Sequence, residues 1–560
     1  MFDRLFKKKN IQQALLDLQE REKGSGGLQK ILTVRDLTFF GIAAIIGAGI
    51  FSTIGRASFN GGPAVSLLFV FTAVACVFTA LCYAQFASTV PVSGSAYTYA
   101  YVSFGELLAW IIGWALILEY AVSNMVVAIS WSEYFVSMLQ NVFHVHFPRW
   151  LAIDSGTAKE AFNAFTTANN NGTVNSLTSS QITLAEAYKT APMLGKFKVI
   201  FNLPAGLITG LITGLIYLGI KESRNASNIL VVIKLGVILL VIIGGISYVK
   251  VENWTPFAPN GIDGVMLSVA SVFFAFIGFD SVSTTAEECK DPQRDLPKAM
   301  LYCLAICTVL YVIITLVLTG MVNYKELGVN DPLAYVFEKV NLDWMAGIIS
   351  VSAVVAITSA LLAYQVGQPR IWMSMSRDGL LPKIFSDIHP RFKTPWFATL
   401  VTGLFVGIPS LFLNMQFFID LTSAGTFFAF ILVCAGILYM DYSGLSKEAK
   451  FKVPYINSKF ITGLLLIAVL VWVFNLDQGF MPFMATKPML WVFWLIWLGL
   501  ALGSFLYDFS LLPILGMLSN LYLMTELGWS NWKMFFIWVA AGLVIYIFYG
   551  YNNSKLSKQK

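Results

Sequence analysis

Charge is scarce in this chain. Asp, Glu, Lys and Arg together supply only 12% of its 560 residues, against about a quarter in soluble domains. Because 57% of the residues are hydrophobic, a single water-facing globule is excluded: one core cannot hide so many apolar side chains. Histidine and cysteine are also few. His144, His146 and His389 form no metal-ligand spacing with Cys76, Cys82, Cys289, Cys303, Cys307 or Cys434, and the cysteines show neither a CxxC pair nor a disulfide framework. HExxH, GxSxG and P-loop patterns are absent, which argues against an enzyme. Nothing calls for a cofactor or a metal. The net charge of +6 lies in loops between apolar runs and is no nucleic-acid signal. The N-terminus, MFDRLFKKKN, has positive charge without an apolar h-region. It reads as a basic cytoplasmic segment that helps set topology rather than a signal peptide, with contact of Lys7 to Lys9 with anionic lipid heads as the lesser reading.

What the chain has in abundance is long apolar runs. A helix needs roughly 20 apolar residues to cross the hydrocarbon layer, and in lipid it must satisfy its own backbone hydrogen bonds. The runs do not alternate as barrel strands would. Fourteen spans are expected, at 37–58, 65–86, 107–129, 201–220, 228–248, 264–285, 300–322, 344–373, 396–413, 417–439, 460–474, 489–506, 511–527 and 534–549. With the N-terminus inside, the even-numbered loops hold Lys221 and Arg224, then Lys290, Arg294 and Lys298, then Arg370, Arg377, Lys383, Arg391 and Lys393, then Lys447, Lys450 and Lys452, and the tail holds Lys555, Lys558 and Lys560. That bias puts both termini in the cytoplasm, which an even count of fourteen, or equally of twelve, allows. A long polar outer loop is expected at about 140–200.

Two spans are interrupted. The first reads Gly41-Ile-Ala-Ala-Ile-Ile-Gly47-Ala48-Gly49-Ile50-Phe51-Ser52, with two glycines in mid-membrane; the sixth reads Phe273-Phe274-Ala275-Phe276-Ile277-Gly278-Phe279-Asp280. Glycine permits unwinding, though small residues also serve close helix packing. Spans one to five would repeat as six to ten, and because five is odd the second copy is inverted. Paired interruptions in two inverted halves point to a transporter's binding site. Freed N–H groups suit a carboxylate and freed carbonyls suit an ammonium, a combination that fits a zwitterion.

Charges inside the spans are the other marked positions. Glu119 lies deep in span three, and Lys234 lies about two turns into span five. Each is expensive in a bilayer and should face the bundle interior. The functional reading is proton exchange by one or both; the structural readings are snorkelling of Lys234 and a hydrogen bond or ion pair of Glu119. Asp280 fits hydrocarbon poorly unless it faces protein or water. Asp420, at the start of span ten, suggests a helix cap. Arg370 and Arg377 read first as interface anchors and second as members of an inner gate with Glu287 and Glu288.

These segments resemble the amino acid–polyamine–organocation superfamily and, within it, the cationic amino acid transporter family. GIAAIIGAGIF looks like its broken first helix, and FFAFIGFDSVSTTAEECKDPQRDLP, residues 273–297, resembles its sixth-helix signature. Gln368-Pro-Arg-Ile, Met375-Ser-Arg-Asp-Gly-Leu-Leu-Pro382, Leu118-Glu119-Tyr120 and Lys234 fall where that family has them, and PILGMLSNLYLM with FIWVAAGLVIYIFYG is similar to its terminal hairpin. The departures are the long outer loop and residues 460–506, which look like two added spans.

The resemblance implies an all-α membrane fold with a five-plus-five inverted-repeat (LeuT-like) core. Residues 1–36 would be the cytoplasmic N-terminal segment, 37–440 the transport core, 441–550 four additional helices and 551–560 a cytoplasmic tail. Gly47, Ala48 and Gly49, with Ile50 beside them, would meet the substrate carboxylate. Carbonyls of Phe274, Ala275 and Ile277 would meet its amino group, and Phe279 would help close the site. Lys234 would stand in place of a sodium ion and imply proton coupling. The expected function is proton-coupled amino acid symport for cationic or small neutral L-amino acids, in a bacterial inner membrane. An exchanger, a sodium-coupled carrier and a transporter-like amino acid receptor are the alternatives. Asn124, Thr358, Ser359, Thr422 and Ser423 are the polar residues available to a substrate side chain.

Overall fold

The computed structural model describes residues 5–10, 30, 32–47, 49–92, 94–171, 177, 179–195, 197–218, 223–329, 331–392, 394–475, 487 and 489–558. Ala48, Lys221, Lys393 and Lys560, named above, lie outside the described residues, as do the side chains of Arg224, Glu287, Asp420 and Lys447.

The described chain is a bundle of α-helices. In order they are α1 (Val34–Ile45), α2 (Ile54–Gly61), α3 (Val65–Thr89), α4 (Ala96–Ser103), α5 (Glu106–Asn141), α6 (Ser155–Asn170) and α7 (Ser179–Thr190). A two-stranded hairpin, Met193–Leu194 paired antiparallel with Phe197–Lys198, follows. Then come α8 (Leu203–Leu218), α9 (Ser223–Ile246), α10 (Gly261–Met266), α11 (Val269–Phe274), α12 (Pro292–Met321), α13 (Pro332–Lys339) and α14 (Asp343–Arg377). The next are α15 (Trp396–Phe412), α16 (Met415–Ser443), α17 (Ile461–Phe474), α18 (Met489–Tyr507), α19 (Leu511–Thr525) and α20 (Trp529–Ile545), followed by two short turns of helix, Tyr551–Asn553 and Lys555–Lys558.

Among the described residues, nine stretches are long and apolar enough to cross a membrane, the first of them taking in everything described between Val34 and Thr89. Four more apolar helices, α8, α15, α17 and α19, are shorter. The protein is therefore all-α and multi-pass. Every expected span overlaps one of these helices, with altered ends.

Burial separates core from periphery. The most apolar stretch of α5 is 94% buried, whereas that of Trp529–Asn553 is 22% buried. α5 packs on α14 and α16, α12 packs on α1 and α3, and α8 packs on α15. Exposed Leu, Ile, Val and Phe on α8, α9, α17, α18 and α20 form an apolar exterior suited to lipid. At 36 residues, α5 is about 54 Å long, well beyond the ~30 Å hydrocarbon layer. The expected third span stopped at 129 because residues 130–141 are less apolar. They remain helical because that extension packs against its neighbours: Ser130, Ser132, Tyr134 and Ser137 are buried.

The segment expected as a polar loop at about 140–200 is a small folded unit. Asp154 caps α6 by accepting the Thr157 N–H at 2.8 Å, and Ile153, Ala158, Ala187, Ala191 and Ile200 form its own core. Span ten differs from expectation too. Its helix begins at Met415, and Asn414 is the cap, accepting the Phe417 N–H at 2.8 Å. Asp420 is thus inside the helix and is not its cap.

Described residues near both ends of the chain meet at the Glu106 end of α5, whereas residues 142–200 follow its other end. Lys7 Nζ donates to the Leu556 carbonyl (2.7 Å) and Lys9 pairs with Asp378 (2.7 Å). Asp378 also accepts the Tyr97 hydroxyl (2.8 Å), and its carbonyl accepts the Lys555 N–H (3.0 Å).

Candidate functional site

The first expected span is broken where its glycines predicted. α1 stops at Ile45, Ile46 leaves the helix at φ −78°, ψ 86°, and Gly47 N–H turns back to the Ile45 carbonyl at 3.0 Å. The chain resumes helix with a π turn over Gly49–Thr53, then α2. A break in lipid leaves carbonyls that need donors. Here three other helices supply them. Lys234 Nζ, on α9, donates to the carbonyls of Ala43 (3.0 Å) and Ile46. Tyr311 on α12 donates to Ile45 O (3.0 Å) and Tyr364 on α14 to Ala44 O (3.2 Å).

The sixth span is broken as well. α11 stops at Phe274, the chain turns through residues 275–278, and a 3-10 helix runs over Phe279–Glu288. Gly278 has φ +116°, a value open to glycine and strained for any other residue. Thr53 on span one donates to the Ser271 carbonyl at 3.2 Å, and Ser268 on span six donates to Ala57 O at 3.0 Å.

The two breaks touch. A Cβ added at Gly49 would lie 2.7 Å from Ala275 Cβ and closer still to its Cα; one added at Gly278 would lie 2.9 Å from the Ala44 carbonyl carbon. Gly47 faces Ala360 on α14 and Val127 on α5. Of the residues singled out from the sequence, Gly47, Gly49, Ile50, Phe274, Ala275 and Ile277 are thus gathered at one place, with Phe279 next to it. Phe279 is buried against Tyr83 and Phe430, with ring centroids 5.9 and 5.1 Å away. Ala48 lies outside the described residues.

The two intramembrane charges occupy different places. Lys234 is fully buried against the span-one break; it does not snorkel. Glu119 lies elsewhere, with Asp280 and Tyr83 close enough to interact electrostatically and with the Thr426 hydroxyl on its side chain. Glu119 Oε2 and both Asp280 carboxyl oxygens are buried with no hydrogen-bond partner among the described residues. Neither Lys234 nor Glu119 has an ion-pair partner there.

The polar residues named for a substrate side chain each have a hydrogen-bond partner elsewhere in the protein. Asn124 donates to Gln365, which donates to Thr213 at 2.7 Å. Thr358 accepts the Trp131 N–H (3.0 Å), Thr422 reaches the Glu119 carbonyl (3.2 Å), and Ser359 and Ser423 bond carbonyls of their own helices.

Toward the end that carries the termini, Arg370 Nη2 lies 2.6 Å from Glu288 Oε1, so Arg370 does meet one of the acids named with it. Beside that pair, Leu32 N–H donates to Glu288 O (3.0 Å) and Lys290 N–H to Leu32 O (3.1 Å), stitching the start of span one to the end of span six. Tyr311 and Tyr364 were not singled out from the sequence. A tyrosine in an apolar run looks like core, and only the need of a buried hydroxyl for a partner marks it.

The arrangement offers N–H groups at the start of a resumed helix, suited to an anion, and carbonyls at the end of another, suited to a cation. Against this geometry the comparisons with known proteins are informative. The family model described as amino acid permease matches residues 32–502, and that for the C-terminus of such permeases matches 510–554. The methylthioribose transporter of Bacillus subtilis (strain 168) is 38% identical over 505 residues, covering 90% of this chain and 97% of that protein. The branched-chain amino acid permease BcaP of the same organism is 36% identical over 555 residues, 99% of each. The vacuolar cationic amino acid transporter 2 of Arabidopsis thaliana is 31% identical over 615 aligned positions, 95% of this chain and 90% of that protein. These relatives are transporters rather than enzymes, and the chain belongs to the amino acid permeases of the amino acid–polyamine–organocation superfamily.

Proposed function

We propose that this amino acid permease is a proton-coupled symporter that works by alternating access and takes cationic or small neutral L-amino acids. Its substrate sits between the two breaks. Gly47, Ala48, Gly49 and Ile50 receive the carboxylate, the carbonyls of Phe274, Ala275 and Ile277 receive the amino group, and Phe279 helps close the site. The observation that carries this reading is the contact of the breaks, through Gly49 against Ala275 and Gly278 against Ala44, which puts N–H and carbonyl ends side by side.

The coupling part of the proposal rests on Lys234, whose amino group spans the Ala43 and Ile46 carbonyls. A protonated amine there supplies a positive charge where a sodium-coupled carrier would need a bound cation. Glu119, with free oxygen and Asp280 for a neighbour, is the second proton-exchanging group. In this reading residues 37–440 are a five-plus-five inverted-repeat core and 441–550 four further helices, for fourteen spans. Both termini face the cytoplasm across a bacterial inner membrane, residues 1–36 and 551–560 are cytoplasmic, and the 140–200 unit is outside.

The test is uptake of labelled arginine, alanine, leucine and methylthioribose into proteoliposomes in sodium-free buffer, with and without an inside-alkaline pH gradient. Methylthioribose is included because a 38% identical relative is named for it. Gradient-dependent accumulation of an amino acid is expected. Accumulation only with sodium or with internal amino acid would replace symport by sodium coupling or exchange. Binding without flux under every condition would make the protein a receptor.

A further inference from the structure

Tyr364, on α14, reaches both broken spans from a third helix. Its hydroxyl lies 3.2 Å from the Ala44 carbonyl on span one and 3.1 Å from the Ile277 carbonyl on span six. One hydroxyl has one proton, so the two carbonyls share it. The Ile277 carbonyl has no helical donor to fall back on. The Ser281 N–H, which a continuous helix would direct to it, goes to Gly278 O at 3.1 Å. The tyrosine itself is well fixed. It is buried, its ring meets Tyr120 edge-on at 6.0 Å and 82°, and the Ser123 hydroxyl faces its oxygen.

We infer that Tyr364 is a positioning residue that staples the two broken helices together and competes with the substrate's amino group for the Ile277 carbonyl. The inference rests on the reading that this carbonyl receives the amine. An ammonium arriving at Ile277 O brings a second donor to an oxygen that already has one. The two positive donor ends repel each other, and the tyrosine proton has an alternative acceptor 3.2 Å away at Ala44. Amine binding therefore moves the shared proton wholly to span one and loosens the staple. The site senses the amine by exchanging a protein donor for a substrate donor.

The experiment compares each of L-alanine, L-leucine and L-arginine with the same acid lacking its α-amino group, in displacement binding to the purified full chain. It is run on the wild type and on Tyr364→Phe, which keeps the ring and removes the donor. Wild type should prefer the amine-bearing ligand, and the preference should grow roughly three- to tenfold in Tyr364→Phe as the competing bond disappears. A clear wild-type preference that Tyr364→Phe leaves unchanged or lowers would overturn the role given to Tyr364 while leaving the placement of the amine intact. No amine preference in the wild type, or no binding of any of the three, would overturn that placement and this inference with it. Should Tyr364→Phe fail to fold, 3-fluorotyrosine installed at position 364 decides the matter. It is a stronger donor in the same ring, so the preference should fall, and an unchanged or raised preference would refute the competition.

Discussion

If the two breaks form one site, the glycines of the first break should tolerate a methyl group very unequally. At Gly49 the added Cβ meets Ala275 at its Cα, at its Cβ (2.7 Å) and at its nitrogen (3.3 Å). Two of these atoms are main chain and cannot rotate away, so the π turn that begins at Gly49 and the turn after α11 must separate by the better part of an ångström. Overpacking of this kind costs about 1–3 kcal/mol, a loss of substrate affinity of roughly 5- to 150-fold if the site is what deforms. At Gly47 the Cβ meets only the Ala360 methyl at 3.0 Å and Val127 Cγ2 at 3.7 Å. A few tenths of an ångström of side-chain movement relieves that, for under about 1 kcal/mol. Gly49→Ala should therefore weaken binding of the transported amino acid far more than Gly47→Ala, and Gly49→Val should abolish it. Calorimetric titration of the detergent-solubilised protein measures the difference, with thermal unfolding as a control for general damage. Equal affinities for the two alanine variants, both folded, would refute the idea that the Gly49–Ala275 contact shapes the site.

Three further outcomes are expected. Lys234→Met removes the donor to the Ala43 and Ile46 carbonyls and should abolish gradient-driven accumulation while some substrate binding survives; normal uphill uptake by this variant would remove Lys234 from coupling. Gly278→Ala forces φ +116° on a side-chain-bearing residue and drives its Cβ into the Ala44 main chain at 2.9 Å, so the melting temperature should drop by the equivalent of about 1–3 kcal/mol or more, and an unchanged melting curve would contradict the backbone described for this turn. The Arg370–Glu288 pair, with side chains 17% and 21% exposed, should show a coupling of about 1 kcal/mol in a stability double-mutant cycle of Arg370→Gln and Glu288→Gln, whereas a coupling of zero would show that the neighbouring backbone bonds of Leu32 to Glu288 and Lys290 do not depend on it.

The helices were legible because apolar length is a strong signal, and the breaks were legible because Gly47, Gly49 and Gly278 stand out against such runs. Lys234 was legible for the same reason, as a charge where none belongs. What stayed hidden depended on contacts between segments distant in sequence. The carbonyls that Lys234 serves could not be known from its neighbours in the chain. Tyr311 and Tyr364 looked like any aromatic residue in a helix. Residues 130–141 carry enough Ser, Glu and Gln to read as the end of a span, and only tertiary burial keeps them in α5. The Asp420 cap was misplaced because Asn414, a good capping residue, stood six positions earlier, beyond a Met-Gln-Phe-Phe stretch that itself can be helical.

The pairing at the first break also constrains how the protein can move. Helix interruption in an apolar medium is tolerated only when the freed backbone groups find partners, and at this break the carbonyls of residues 43 to 46 are served from α9, α12 and α14. Any swing of α1 away from the bundle must therefore strip these donors or carry them along. Stripping all of them at once would leave several buried carbonyls unpaired, at about 1–3 kcal/mol each. The cheaper motion exchanges donors singly, and the donors differ in how readily they let go. Lys234 holds Ala43 and Ile46 together and, by losing a proton, would lose a charge-assisted bond; Tyr364 has Ile277 as a second acceptor; Tyr311 shares Ile45 with the Gly47 N–H. Under the proposed symport, a proton at Lys234 and an amine at Ile277 would both bear on the carbonyls of residues 43 to 46, the first directly and the second through Tyr364.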